Sequence, residues 1–417
     1  MPTSVSLNVA LVCLLGISLP AASAKDTPES GAAPAPTSST EGLSPSDPLA
    51  AWQEGHVHIR PVGAPGERHT IHAYFNTCPE SPDGTKVIFF SSTARDGQFG
   101  DVCVVDRATG EEKVLAKGIH CEDAHRVACQ QWVSHGQRVV YHDERQGQWL
   151  VACVDLADGK ERILARDHLC SWGRPDADLV PVYGPHWNPG SNRDLQLVNV
   201  VTGEITTPLK VDAIREAFPD YWAKTFGDKQ PSIFFPILSP DLKRVFFKMA
   251  VAAGGDPRSK EASDRQGLIC YSLAEKRFLY MNARWGHPSW ESDSRTIVEA
   301  GNLLYDSNDG ARTAIPHLPG FRGDHPSASP DRKLLVTDTT LDRFGRSAGD
   351  WGVVVYDPQG SRYTMIHRFD NSHGASSWRR SHPHPVFSAD GRRIYFNVSS
   401  GPWTQLYVAE TDWKPQS

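Results

Sequence analysis

Four histidines stand out in this chain as residues equipped for chemistry: His287 in GHPSWESDS, His325 in GDHPSASPD, and His382 with His384 in HPHPVFSAD. His287, His325 and His384 occupy one place in a recurring pattern, at the start of an alternating apolar run that leads into an SPDG-like turn. Neutral imidazoles from separate strands can hold a divalent ion. We therefore expect His287, His325, His384 and His382 to form a metal centre, with zinc as the first expectation and manganese or calcium as alternatives. A single histidine in such a place is ordinarily a packed, hydrogen-bonded side chain, but three at equivalent positions favour metal. Alternate residues of a strand share a face, so a kink at Pro383 decides whether one or both of His382 and His384 look inward. Asp324 and Cys78 are candidates for a further ligand.

A second group lies earlier in the chain: His120, His125, His142, Tyr183, His186 and Arg193. It contains a base, an acid and a cation, the set needed to eliminate across an anionic sugar. The proton beside a carboxylate is weakly acidic, and its removal requires the carboxylate to be neutralised where charge develops. His125, His142, Tyr183 and Arg193 are the catalytic candidates, although each alone would pass for an ordinary turn residue. Loops bearing Arg258, Lys260, Arg265, Arg343, Arg346, Arg379 and Arg380 would attract a sulfated or carboxylated chain. Trp285, Trp290, Trp378 and Trp403 are candidates for stacking on sugar rings, most of them better suited to core packing.

The elements that must position these residues are short strands. Runs such as KVIFF, RVVYHD, RVFFKMA and RIYFNVSS alternate with Gly-bearing turns such as ATGEE and ADGKE, the mark of hairpins. Aligning the turns adds Thr77 beside Cys78, Cys129, Cys170 and Phe235 to the three histidine positions, which makes seven repeats. Repeats of about 40 to 50 residues built from strands indicate a propeller, whose innermost strands converge on a central channel. The reading is an all-β, seven-bladed β-propeller with a short helical insertion near residues 211–227, broken at Pro219. HVHIRPV near residue 57 is expected to pair with TQLYVAE and close the ring.

Composition bounds the rest. Residues 1–24 carry no charged side chain, contain an apolar run, and end in Ala22-Ser23-Ala24, the pattern of a signal peptide. Residues 25–48, rich in Ala, Pro, Ser and Thr, read as a disordered linker, and 49–417 as one propeller domain. A secreted or periplasmic monomer without a membrane span is expected. A net charge of −6 argues against nucleic acid as a partner. Of the eight cysteines, Cys103 and Cys153 sit inside apolar strands as small core residues, so a disulfide framework is not expected.

HPHP before a strand, a final QLYVAE-like strand, and a GHP-type histidine in an earlier blade resemble the oligogalacturonate lyases. HRVACQQW, VVYHD, PVYG, NRDLQ, FFPILSPDLKRVFFKMA, WGHPSW and SHPHPVFSADGRRIYFNVSSG resemble the seven-bladed ulvan lyases more closely, over nearly the whole of 49–417. The resemblance implies a polysaccharide lyase that cleaves a uronate-containing, sulfated, ulvan-type chain by β-elimination. It implies Tyr183 as acid and base, His125 as its partner, Arg193 and His142 neutralising the uronate, and a structural zinc on the histidines. Arg379 stands where the oligogalacturonate lyases have a glutamine ligand. The alternatives are an oligogalacturonate lyase using Arg265 and His287, or a non-enzymatic TolB-like binding propeller.

Overall fold

The computed structural model describes residues 43, 47–123, 125–315, 323–341, 350–359, 362–370 and 382–412. The expected leader and most of the linker lie outside these residues, as do Arg343, Arg346, Trp378, Arg379 and Arg380. The strands form seven four-stranded antiparallel sheets, the seven-bladed β-propeller anticipated from the repeats. In chain order the blades span 69–120, 131–166, 169–209, 232–282, 289–314, 327–370 and 386–411, the last completed by Val57–Pro61. That closing strand pairs with Gln405–Thr411, from Val57 opposite Thr411 to Pro61 opposite Tyr407. A sheet that borrows its outer strand from the far end of the chain closes the ring, leaving no long free edge.

The repeated turn has a repeated physical cause. In four blades a serine hydroxyl donates to an aspartate two residues on: Ser81 to Asp83 at 2.5 Å, and Ser239 to Asp241, Ser329 to Asp331 and Ser388 to Asp390, each at 2.7 Å. The same oxygen accepts the N–H five residues on, from Lys86, Arg244, Leu334 and Arg393, at 2.9–3.0 Å. Each such turn ties the innermost strand to the second through one side chain, in the manner of an Asx or ST turn.

Between blades three and four, Val211–Ala217 and Pro219–Thr225 are short helices, with Pro219 opening the second. Ile214 and Trp222 pack against Ile233 and Phe247, so the insertion joins the core beside blade four. Cys103 and Cys153 are core residues, 4% and 3% exposed. All seven described cysteines carry free thiols. At the other end of the expected linker, Asp47 caps the turn at Leu49 and pairs with Arg362, so packing begins slightly ahead of residue 49.

Candidate functional site

Each innermost strand begins close to the channel axis, and there the backbone of several blades departs from regular strand. Cys129, Phe235 and His384 occupy the left-handed region, with φ of 53°, 56° and 47°. This conformation costs a residue bearing a Cβ roughly 1–2 kcal/mol. At these equivalent places it turns Phe235 and His384 toward Tyr74 on the axis and the Cys129 sulfur toward Cys170. The kink at His384 is why both residues of the HPH pair face inward.

The axis holds a cluster of imidazoles from blades two, five, six and seven. Ring centroids lie 4.6 Å apart for His287 and His325, 4.4 Å for His325 and His384, 5.3 Å for His325 and His382, and 4.3 Å for His125 and His382. One nitrogen from each of His125, His382 and His384 lies within 4.8 Å of the others. The four expected histidines are therefore together, and His125, foreseen as a proton-transfer residue, joins them. Cys78 does not; it packs beside Val386 and Tyr395. Asp324 meets His287 through its backbone.

The donor set fits a divalent cation. His384 is fully buried and neither ring nitrogen has a hydrogen-bond partner among the described residues, an arrangement costly for a polar ring unless something binds it. Burial, reinforced by neighbouring imidazoles, holds His287 and His384 well below the ordinary histidine range, so both are neutral with a lone pair available. Buried Asp338 accepts from His325 Nδ1 at 2.9 and 3.0 Å and from the His384 N–H at 3.0 Å. A carboxylate on Nδ1 fixes the tautomer that points the Nε2 lone pair away, as in histidine metal sites.

Beside the histidines opens a recess of about 50 Å³ lined by three cations, Arg126, Lys248 and Arg265, and one carboxylate, Asp123, with His125, His287 and Tyr74. This volume accommodates a carboxylate rather than a sugar ring. Lys248 is 4% exposed and stands in an otherwise apolar strand. Its ammonium lies 5.2 Å from the Phe235 ring centre and 4.8 Å from that of half-exposed Trp285. Burial, together with Arg265 and Arg126 and against the opposing Glu299 carboxylate, lowers Lys248 to about 7. Burial raises Glu299 in turn to about 7, with Lys248 opposing. A roomier cavity, about 350 Å³, lies at the far ends of the innermost strands among serines and prolines such as Ser289, Ser329 and Pro330. It contains no comparable cluster of cations and imidazoles, so the smaller recess is the better candidate for chemistry.

The other foreseen catalytic residues lie deeper. Tyr183 ends the strand Leu179–Tyr183 with no solvent exposure. Its hydroxyl accepts from Arg126 Nη1 at 3.2 Å, and burial pushes it well above the usual tyrosine range. His186 meets Glu122 at 3.0 Å and Ser263 at 2.7 Å. His142 lies 3.8 Å from Glu122 and 3.7 Å from Cys170 Sγ. Arg126 pairs with Glu122, so Tyr183, His142 and His186 converge on the ion pair that backs the recess. Arg193 stands apart, its Nε donating to the Pro231 carbonyl at 2.9 Å. His120 stacks on Phe99 and meets Glu144.

Sequence reasoning overlooked Arg126, Lys248, Asp338, Glu122 and Glu299. The signal for three of them is a charge interrupting an apolar strand, in VFFKMA, LLVTDTT and TIVEAG. Arg265 and His287, paired in the oligogalacturonate-lyase alternative, line the same recess.

No family model and no curated protein matches the sequence. Among solved structures, the chain is similar to an oligogalacturonate lyase in complex with manganese, at 18% identity and TM-score 0.59, over 87% of this chain and 96% of that one. It is also similar to the oligogalacturonate lyase of Vibrio parahaemolyticus, at 14% identity and TM-score 0.58, over 86% and 98%. A chain of a mitotic checkpoint complex aligns at 12% identity and TM-score 0.50, over 96% and 99%. These likenesses establish the propeller fold, and because one fold serves many functions, activity has to be argued from the site.

Proposed function

We propose that this protein is a lyase that cleaves uronate-containing glycans by β-elimination in the recess beside the axial histidines. The observation that carries the reading is the gathering of Arg126, Lys248 and Arg265 around a carboxylate-sized space in a chain of net charge −6. Three cations, two of them buried, outnumber the single Asp123 carboxylate of the lining and select a carboxylate against the overall field of the molecule.

Arg126 and Arg265 would pair with the uronate carboxylate and neutralise the charge that spreads onto it as the neighbouring carbon loses its proton. Lys248, lowered to about 7, is suited to take that proton in its neutral form. The electron pair forms the new carbon–carbon double bond, the bond to the glycosidic oxygen breaks, and that oxygen receives a proton from the Tyr74 hydroxyl in the recess lining. His125, His287, His325, His382 and His384 would hold a divalent cation, which supplies further neutralisation of the carboxylate when bound. Tyr183 then acts by orienting Arg126 directly, and His142 by doing so through Glu122. Manganese in a structural relative makes it the first ion to test, followed by zinc.

The convergence of Arg265 with His287 favours unsulfated oligogalacturonate, while sulfated ulvan-type chains remain the substrate suggested by sequence motifs. Mass spectrometry of products from each substrate tests the reading. Elimination gives a fragment lighter by one water than hydrolysis does. Hydrolytic fragments, or binding without cleavage, would overturn it. Secretion is part of the same proposal, because polymeric uronate is met outside the cell, and N-terminal sequencing of the exported protein would test it.

A further inference from the structure

Behind the recess, Cys129, Cys170 and His142 meet at the junction of blades two and three. Each is no more than 1% exposed, and one donor atom from each lies within 4.8 Å of the others. His142 Nδ1 stands 3.7 Å from Cys170 Sγ. Two ligands of a tetrahedral zinc, with bonds of about 2.3 Å to sulfur and about 2.0 Å to nitrogen, are separated by ~3.6 Å. On the opposite side of the ring, His142 Nε2 and Glu122 Oε2 are 3.8 Å apart, both buried and neither hydrogen-bonded among the described residues. That is the placement of a carboxylate behind a metal-bound imidazole, before the ion draws the ring into register. The left-handed backbone at Cys129 is what turns its sulfur toward Cys170.

We propose that Cys129, Cys170 and His142 form a second metal site, separate from the axial histidines, that takes a thiophilic ion, zinc foremost. Two thiolates and an imidazole select soft or borderline cations over manganese or calcium. Two thiolate charges cancel a divalent ion, and the Glu122–Arg126 pair alongside is itself neutral, so the buried group carries no net charge. The Cys129 and Cys170 carbonyls stand 3.8 and 3.3 Å from the opposite sulfurs, near enough to supply an oxygen as a further ligand. Because the ligands are sealed from solvent, the ion enters during folding and ties blade two to blade three. Through Glu122 it also holds Arg126, so the site underpins the recess without touching substrate.

The test is metal content and spectroscopy rather than turnover. The full chain, produced with cobalt(II) as the probe ion, should show near-ultraviolet sulfur-to-cobalt charge transfer. His325→Ala should keep that band, and Cys129→Ser with Cys170→Ser should lose it together with one ion per chain. If the double variant fails to fold, alkylation of the wild-type protein decides. Both thiols should resist modification until metal is chelated from the unfolded chain. Absence of charge transfer in folded wild type, or a Cys129–Cys170 disulfide by mass spectrometry, would overturn the proposal. Neither result bears on uronate elimination, and an inactive protein that retains the band would leave the second site standing.

Discussion

Lys248 is the residue on which the chemistry and the stability pull in opposite directions. A buried cation without a carboxylate within ion-pair distance among the described residues destabilises the fold, and the same burial makes its amine a base near neutrality. Lys248→Met is expected to lower kcat by at least ~10²-fold while leaving the melting temperature unchanged or raised. A variant retaining most of its turnover by product absorbance would remove Lys248 from the mechanism. Because the neutral amine is the working form, kcat/KM should rise with pH through about 7, and that limb should vanish in the variant. Asp338→Asn, which weakens the support of His325, should loosen metal binding roughly 10- to 100-fold, measured by competition with a chelator. The histidines were legible in the sequence because they recur at one place in the repeat. Lys248 and Asp338 were not, since a charge within an apolar strand shows its meaning only when the strand's neighbours are known.

At the scale of the element, the left-handed kinks matter most, because they aim Phe235 and His384 at the axis and Cys129 at Cys170. Repeat alignment found these three positions but could not show the backbone conformation. It therefore left open which of His382 and His384 faces inward, where the kink turns both. It also placed Cys78 on the axis, a position taken by Tyr74 and Phe75, whose rings lie 4.6 and 6.2 Å from His384. Tyr183, which alone would pass for a turn residue, instead ends its strand with no solvent exposure. Gly286 illustrates how tightly the start of blade five is built. A Cβ there would lie 2.0 Å from Glu299 Oε1, the oxygen that accepts the His287 N–H. Gly286→Ala should displace that carboxylate and weaken metal retention about tenfold, with an unchanged circular dichroism spectrum. Undiminished retention would show that Glu299 does not position His287.

Across the whole molecule, ring closure depends on the joint between blades seven and one. Arg393 donates to buried Glu80 at 2.7 and 2.9 Å, and Tyr395 shares that carboxylate. Glu80→Ala strands a nearly buried guanidinium and should cost about 3 kcal/mol in chemical denaturation, Asp390 and Glu410 offsetting part of the loss. Burial lowers His72 and His186 from 6.5 to about 4, so between these values the unfolded chain binds protons that the native one does not. Stability should therefore fall as pH drops from 6.5 toward 4, by up to about 1.4 kcal/mol per pH unit for each histidine. The propeller itself was readable because strand period and turn chemistry repeat seven times, whereas the pairing of Arg265 with His287 in one recess depends on how the blades close around the axis. The most direct test of the account is the ultraviolet absorbance of unsaturated uronate released from oligogalacturonate and from ulvan, with and without chelator. The account predicts a rise on at least one substrate that chelation diminishes and manganese or zinc restores. No absorbance on any uronate, with metal present and the protein folded, would contradict it.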